Sequence, residues 1–249
     1  MNDVTEFIKE NVSEIKKAVG LKKAICALSG GVDSSACAAL AHKAIGGQLD
    51  CVFLDDGLMR EGEGERIKEV FTSLGIKVRI ADVADEFFKA LAGITDPEEK
   101  RKAFRNTFYS ALGRIVEESG AEYMIQGTIA ADIKETAGGI KTQHNVLEQI
   151  GINPKTYGLT ILEPLKTLYK PEVRKVAKAL GLPQEIYKRM PFPGPALATR
   201  VIGEVTRERV SVCRKAHVII EEETRKYKPF QAFAVLLSDK ATGVVNGKR

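Results

Sequence analysis

The chain has 249 residues, 44% of them hydrophobic and 29% charged, with a net charge of +5 at pH 7; a globular protein of this size buries enough surface to fold without a disulfide or metal staple. The modest basic excess suits small anionic ligands rather than nucleic acid, and no stretch approaches a membrane span, so neither nucleic-acid nor membrane partners are expected. The four cysteines, Cys26, Cys37, Cys51 and Cys213, form no C-x-x-C pair, which speaks against a zinc or thioredoxin-type centre; with no leader-like segment at the start, a reducing cytoplasmic location is expected.

In chain order, Val4, Phe7, Ile8, Val12, Ile15 and Val19 recur at helical spacing. The apolar run Ala24–Ser29 follows, then glycines, then a helix-like stretch from Ala36 to Ile45 stopped by Gly46-Gly47. A second apolar run is Cys51–Asp56. A helix is predicted over 63–74, ended by Gly75, and a third apolar run is KVRIADV at 77–83. Asp96 and Pro97 have the chemistry of an N-cap and first helical position, opening a long helix to Ser119. The runs YMIQGTI (123–129) and LTILEPL (159–165) complete five strand candidates. Short apolar runs alternating with helices predict an α/β fold: an open, mostly parallel five-stranded sheet with helices on both faces. Ligands in such sheets bind beyond the carboxyl ends of the strands. From Lys188 the texture changes, with Pro191, Pro193 and Pro195 in five residues, which excludes helix and central strand. The expected division is 1–190 as the main domain and 191–249 as a connection plus part of a small α+β domain, with a helix over 206–226 and a strand at FQAFAVLL (230–237).

The strongest motif is Ser29-Gly30-Gly31-Val32-Asp33-Ser34-Ser35, placed between a strand and a helix. Glycines let backbone approach an anion, and the helix start offers free N–H groups and a positive dipole end. No Lys follows the glycines, so this is not a Walker loop, and it lacks the G-x-G-x-x-G spacing of dinucleotide sites. Asp33 among phosphate-binding groups needs an intervening cation, which implies Mg²⁺ held there. Leu54 and Asp55 at the end of the second strand and Gly127 after the fourth also occupy site-like positions.

The pattern S-G-G-x-D-S resembles the PP-loop of the ATP pyrophosphatases, which cleave ATP between the α- and β-phosphates. Further segments resemble GMP synthetase: DGLMR (56–60), DPEEKRK (96–102), QGTIAADIKET with GGIKTQHNV (126–146), PFPGPALATRVIGEV (191–205) and FQAFAVLL. That resemblance implies ATP-dependent amination of xanthosine monophosphate (XMP) to GMP through an adenylate, with ATP and Mg²⁺ bound at the loop. It also implies that Arg101 contacts XMP, with Arg189 and Arg200 near the substrate. Asp132 and Glu135 would lie by the reacting purine, and Lys141 and His144 would come from a lid over the adenylate. No glutaminase nucleophile is evident, so ammonia from a separate glutamine amidotransferase subunit, or from solution, is implied. The family forms homodimers through a longer C-terminal domain, so the interface is expected to be incomplete within these residues. Two positions depart from the family pattern: Gln143 and Met190 stand where it has histidines. The loop alone also permits an NAD synthetase-like or RNA-thiolating enzyme, or a non-catalytic nucleotide-binding subunit.

Overall fold

A computed structural model of the chain describes residues 3–137, 159–239 and 243, the side chains of 135–137 excepted. Lys141 and His144 lie outside the described residues. The elements run α1 (Val4–Val19), β1 (Ala24–Leu28), α2 (Val32–Ile45), β2 (Leu49–Asp55), α3 (Glu63–Ser73), β3 (Val78–Asp82), α4 (Ala84–Leu91), α5 (Pro97–Ser119), β4 (Tyr123–Ile125), α6 (Ala130–Ala137), β5 (Thr160–Leu162), α7 (Lys170–Ala179), α8 (Gln184–Tyr187) and α9 (Arg207–Thr224). The expected α/β class holds, and the sheet is wholly parallel, in the order β3-β2-β1-β4-β5.

Alternation along the strands divides the core in two, because successive side chains of a strand point to opposite faces. Cys26, Leu28, Cys51 and Phe53 pack on one face with α1, α2, α3 and α7. Ile25, Val52 and Leu54 pack on the other with α4, α5 and the segment Ala196–Val205. Burial on both faces is why the strands read as continuous apolar runs. All four cysteines are buried and free, as small core hydrophobes. Among the described residues no helix is long and apolar enough to cross a membrane.

Several boundaries follow the sequence signals closely. Asp96 caps α5, its Oδ1 accepting the Glu98 and Glu99 amides at 2.9 Å each. The proline-rich segment is irregular up to a short 3-10 turn at Ala196–Thr199. The predicted strand at 230–237 is corrected: this segment is extended coil with a single parallel bridge between Leu236 and Val201. A ladder needs a partner strand, and only the short stretch around Val201 is offered to it, through Ile202 N to Leu236 O (2.8 Å) and Leu236 N to Arg200 O (2.9 Å). Helices α4, α7 and α8 had no counterpart in the sequence reading. The first joins β3 directly, and α7 starts at Tyr169-Lys170-Pro171, a proline-marked helix start.

Replacing Asp96 by Ala removes the cap of the longest helix. The expected loss is about 1 kcal/mol, read as a lower urea midpoint at unchanged denaturant slope.

Candidate active site

The strand order places β1 centrally; from β1 the chain runs on to β2 on one side, and from its other neighbour, β4, it runs on to β5 on the opposite side. Crossovers diverge at such a switch point and open a crevice above the carboxyl ends. The glycine loop fills that crevice. Gly30 has φ +72°, a conformation that favours glycine. Gly31 is the N-cap of α2 and carries no side-chain cap, so the first amides of that helix stay open. Ser34 ties the loop together: its Oγ accepts from Ser29 N (3.2 Å), lies 3.1 Å from Ser29 Oγ and donates to Gly31 O (3.2 Å). Ser35 is fully buried beneath the loop, so its hydroxyl does not face the cleft.

A cavity of about 410 Å³ spreads from the loop, walled by Ser29–Asp33, Leu54, Asp56, Lys170, Arg174 and Arg189 and, at its apolar end, by Phe104, Phe108, Phe192 and Phe230. Aromatic walls beside open amides suit a ligand with a planar ring and phosphates. Gly127 comes from the end of β4, and a methyl there would stand 3.0 Å from Ser34 N and 3.1 Å from Asp33 C. Glycine is therefore what lets the β4 end close against the start of α2.

Asp33 faces Lys170 at 2.5 Å through one oxygen, while its other oxygen is buried without a partner among the described residues. Burial raises its pKa, and the Lys170 ammonium opposes that rise. Lys170 and Arg174 are cations one helical turn apart on α7, both lining the cavity; the sequence reading missed them, the proline-marked helix start at Tyr169-Lys170-Pro171 being the signal for the first. Of the Asp55-Asp56 pair at the end of β2, only Asp55 was expected to bind ligand. The structure puts Asp56 in the cavity at the glycine loop and Asp55 in a smaller neighbouring one, its Oδ1 accepting from Gly57 N at 3.0 Å. Burial pushes the Asp56 carboxyl up to about 6, aided by the Asp55 charge, although it accepts the Leu58 amide at 2.8 Å.

The remaining expected residues are dispersed. Asp132 lies on α6, where its Oδ2 accepts from Ile129 N at 3.0 Å and its charge is felt at Asp33. Glu135 follows it on the same helix. Arg101 is exposed on the first turns of α5 and pairs with Glu98. Its neighbour Lys100 is buried and donates to Val201 O at 2.7 Å and Gly203 O at 2.5 Å, so it is a structural pin rather than a free cation. Arg200 stacks its guanidinium on Phe233, 3.4 Å from the ring centroid, away from the cavity. Arg189 reaches the loop itself, donating to Gly30 O at 3.0 Å and pairing through both terminal nitrogens with Glu63.

Two expected outcomes follow from this geometry. Gly127→Ala should weaken pyrophosphate binding by about tenfold or more in calorimetry, because a methyl prises the β4 end from the loop. For Asp56, native protein holds a proton between about pH 4 and 6 that the unfolded chain has released. Stability therefore falls as pH rises through that window and stays lowered above it. Asp56→Asn should stabilise the protein by on the order of 2–3 kcal/mol at pH 8 and by little at pH 4, measured by chemical denaturation.

A family model described as NAD synthase matches residues 1–118. A subunit of the glutamine-hydrolyzing GMP synthase of Archaeoglobus fulgidus is 55% identical over 243 residues, covering 97% of this chain and 78% of that protein. The corresponding GMP synthase subunits of Methanopyrus kandleri and Methanocaldococcus jannaschii are 51% and 50% identical, each over the whole chain and over 81% and 80% of their own lengths. An NMN synthetase structure from Francisella tularensis superposes with a TM-score of 0.61 over 99% of this chain and all of its own, at 17% identity, which speaks to the fold alone. An open amide-ended helix at the sheet's switch point, on a sequence half identical to these archaeal relatives along nearly its whole length, makes this chain a member of their family of glutamine-hydrolyzing GMP synthase subunits.

Proposed function

We propose that this chain is the ATP-cleaving ligase component of a glutamine-hydrolysing GMP synthase, converting XMP to GMP while ATP becomes AMP and pyrophosphate. The observation that carries this reading is the uncapped start of α2, whose amides face a cavity with cations on one wall and aromatic rings on another.

In this reading the β- and γ-phosphates of ATP rest on the amides of Gly31 to Asp33, with Lys170 and Arg174 balancing their charge. The XMP C2 oxygen attacks the α-phosphorus. A new P–O bond forms there as the bond to the β-phosphate oxygen breaks, and pyrophosphate leaves toward donors already in place. Ammonia then adds at C2 of the adenylate, AMP departs with the electron pair, and a proton is lost to give GMP. Asp132 and Glu135 are assigned to orienting the purine or taking that proton. Lys141 and His144 are assigned to the adenylate, and Arg101, with Arg200 nearby, to XMP. Mg²⁺ fits at Asp33, one of whose oxygens is buried without a partner among the described residues; when bound it would neutralise charge on the departing pyrophosphate. Ammonia comes from a separate glutamine amidotransferase subunit, the complex works in the cytoplasm, and the protein pairs as a homodimer.

The test is the formation of AMP and pyrophosphate from Mg-ATP supplied with XMP and an ammonium salt, and its absence when XMP is omitted. Formation of ADP and phosphate would overturn the reading. Lys170→Met should raise KM for ATP by about tenfold, the worth of one charge-assisted hydrogen bond.

A further inference from the structure

The contacts of Arg189 run to the glycine loop and to Glu63. Glu63 is the first residue of α3, where a carboxylate is favoured by the helix dipole, and it is buried. Arg189 comes from the other side of the cavity, just before the proline-rich segment, and its side chain is 16% exposed. The two side chains meet in a fork, with both terminal nitrogens of the guanidinium on both oxygens of the carboxylate. One of those nitrogens also donates to the carbonyl of Gly30 at 3.0 Å.

The peptide between Gly30 and Gly31 is planar and trans, so its carbonyl and its N–H point in opposite directions. Holding the Gly30 oxygen against Arg189 therefore aims the Gly31 N–H the other way, to the side of the loop where it donates a long hydrogen bond to Ser29 Oγ at 3.4 Å. A peptide flanked by two glycines has little intrinsic resistance to flipping. The flipped form would turn a carbonyl oxygen toward the phosphates and remove a donor from them. The same arrangement adds a second reason for glycine at position 30: a methyl there would overlap the Glu63 carboxylate and stand 2.9 Å from Arg189 Nη1.

We infer that Glu63 and Arg189 are a positioning pair that clamps the Gly30–Gly31 peptide in its phosphate-binding orientation, and that Arg189 serves ATP rather than XMP. The inference rests on the function proposed above for its kinetic readout, but not for its binding readout.

Removing one partner leaves a buried charge alone and threatens folding, whereas replacing both by apolar residues of similar volume is far better tolerated. The decisive protein is therefore E63M/R189M, beside E63Q and R189K. The expected result is a double variant that melts within a few degrees of the parent but shows a KM for ATP raised about tenfold and a KM for XMP unchanged. R189K keeps the charge without the fork and should not rescue ATP affinity. A normal KM for ATP in the double variant, or a rise confined to XMP, overturns the inference. If the parent makes no AMP from ATP and XMP, the functional reading fails, and the clamp is judged by calorimetry with Mg-pyrophosphate alone. There, about tenfold weaker binding supports it and unchanged binding overturns it.

Discussion

A helix start whose amides meet nothing is a fixed concentration of positive potential, and much of this structure serves to keep one such end open and aimed. The first residues of α2 have no side-chain cap, and the nearby Ser34 hydroxyl is occupied within the loop instead of covering them. The opening sits where neighbouring strands lead the chain to opposite sides, so the crossovers diverge around it. Gly127 allows β4 to press against the helix start, and the Arg189–Glu63 fork fixes the carbonyl on the far side of the loop. Cations from α7 stand across the gap.

How much of this was legible depended on whether a feature was local in sequence. The glycine loop was readable because strand, loop and helix lie within some twenty residues and each leaves its own mark. The Asp96-Pro97 start of α5 was readable for the same reason. The Arg189–Glu63 pair was not, since its partners lie 126 positions apart and no local pattern joins them. Lys170 and Arg174 were hidden because a helix with two cations reads equally well as a solvated face. Lys100 shows the converse hazard. A cluster written Lys-Arg-Lys suggests anion binding, yet one member is buried on backbone carbonyls and another pairs with Glu98.

That use of Lys100 recurs and reinterprets the basic excess of the chain. Irregular segments leave carbonyls that no ladder satisfies, and long cationic side chains reach them. Arg214 donates to Met59 O at 2.9 Å and Gly57 O at 2.5 Å, and Arg60 to Met190 O at 3.1 Å. Arg60 also lies 4.3 Å from the centroid of Phe192 and pairs with Glu221 at 2.9 Å. Burial alone would raise the Glu221 carboxyl, but His217 and Arg60 together outweigh it and bring it down to about 2. Through these contacts α9 holds the loop after β2 and the proline-rich segment in one place, forming the aromatic side of the cavity. Part of the positive charge thus builds walls instead of meeting ligand.

The parallel pairing of β1 with β4 carries a kinetic consequence. Ala24 aligns with Tyr123, so the seam beside the glycine loop joins residues separated by about two-fifths of the chain. Such distant contacts form late, since loop closure entropy is met before their energy is gained. During synthesis, then, the motif leaves the ribosome long before the strand that completes its pocket. On the proposed function, a nascent chain carries the sequence of a nucleotide site without its affinity, and nucleotide stabilises only molecules in which that seam has already closed.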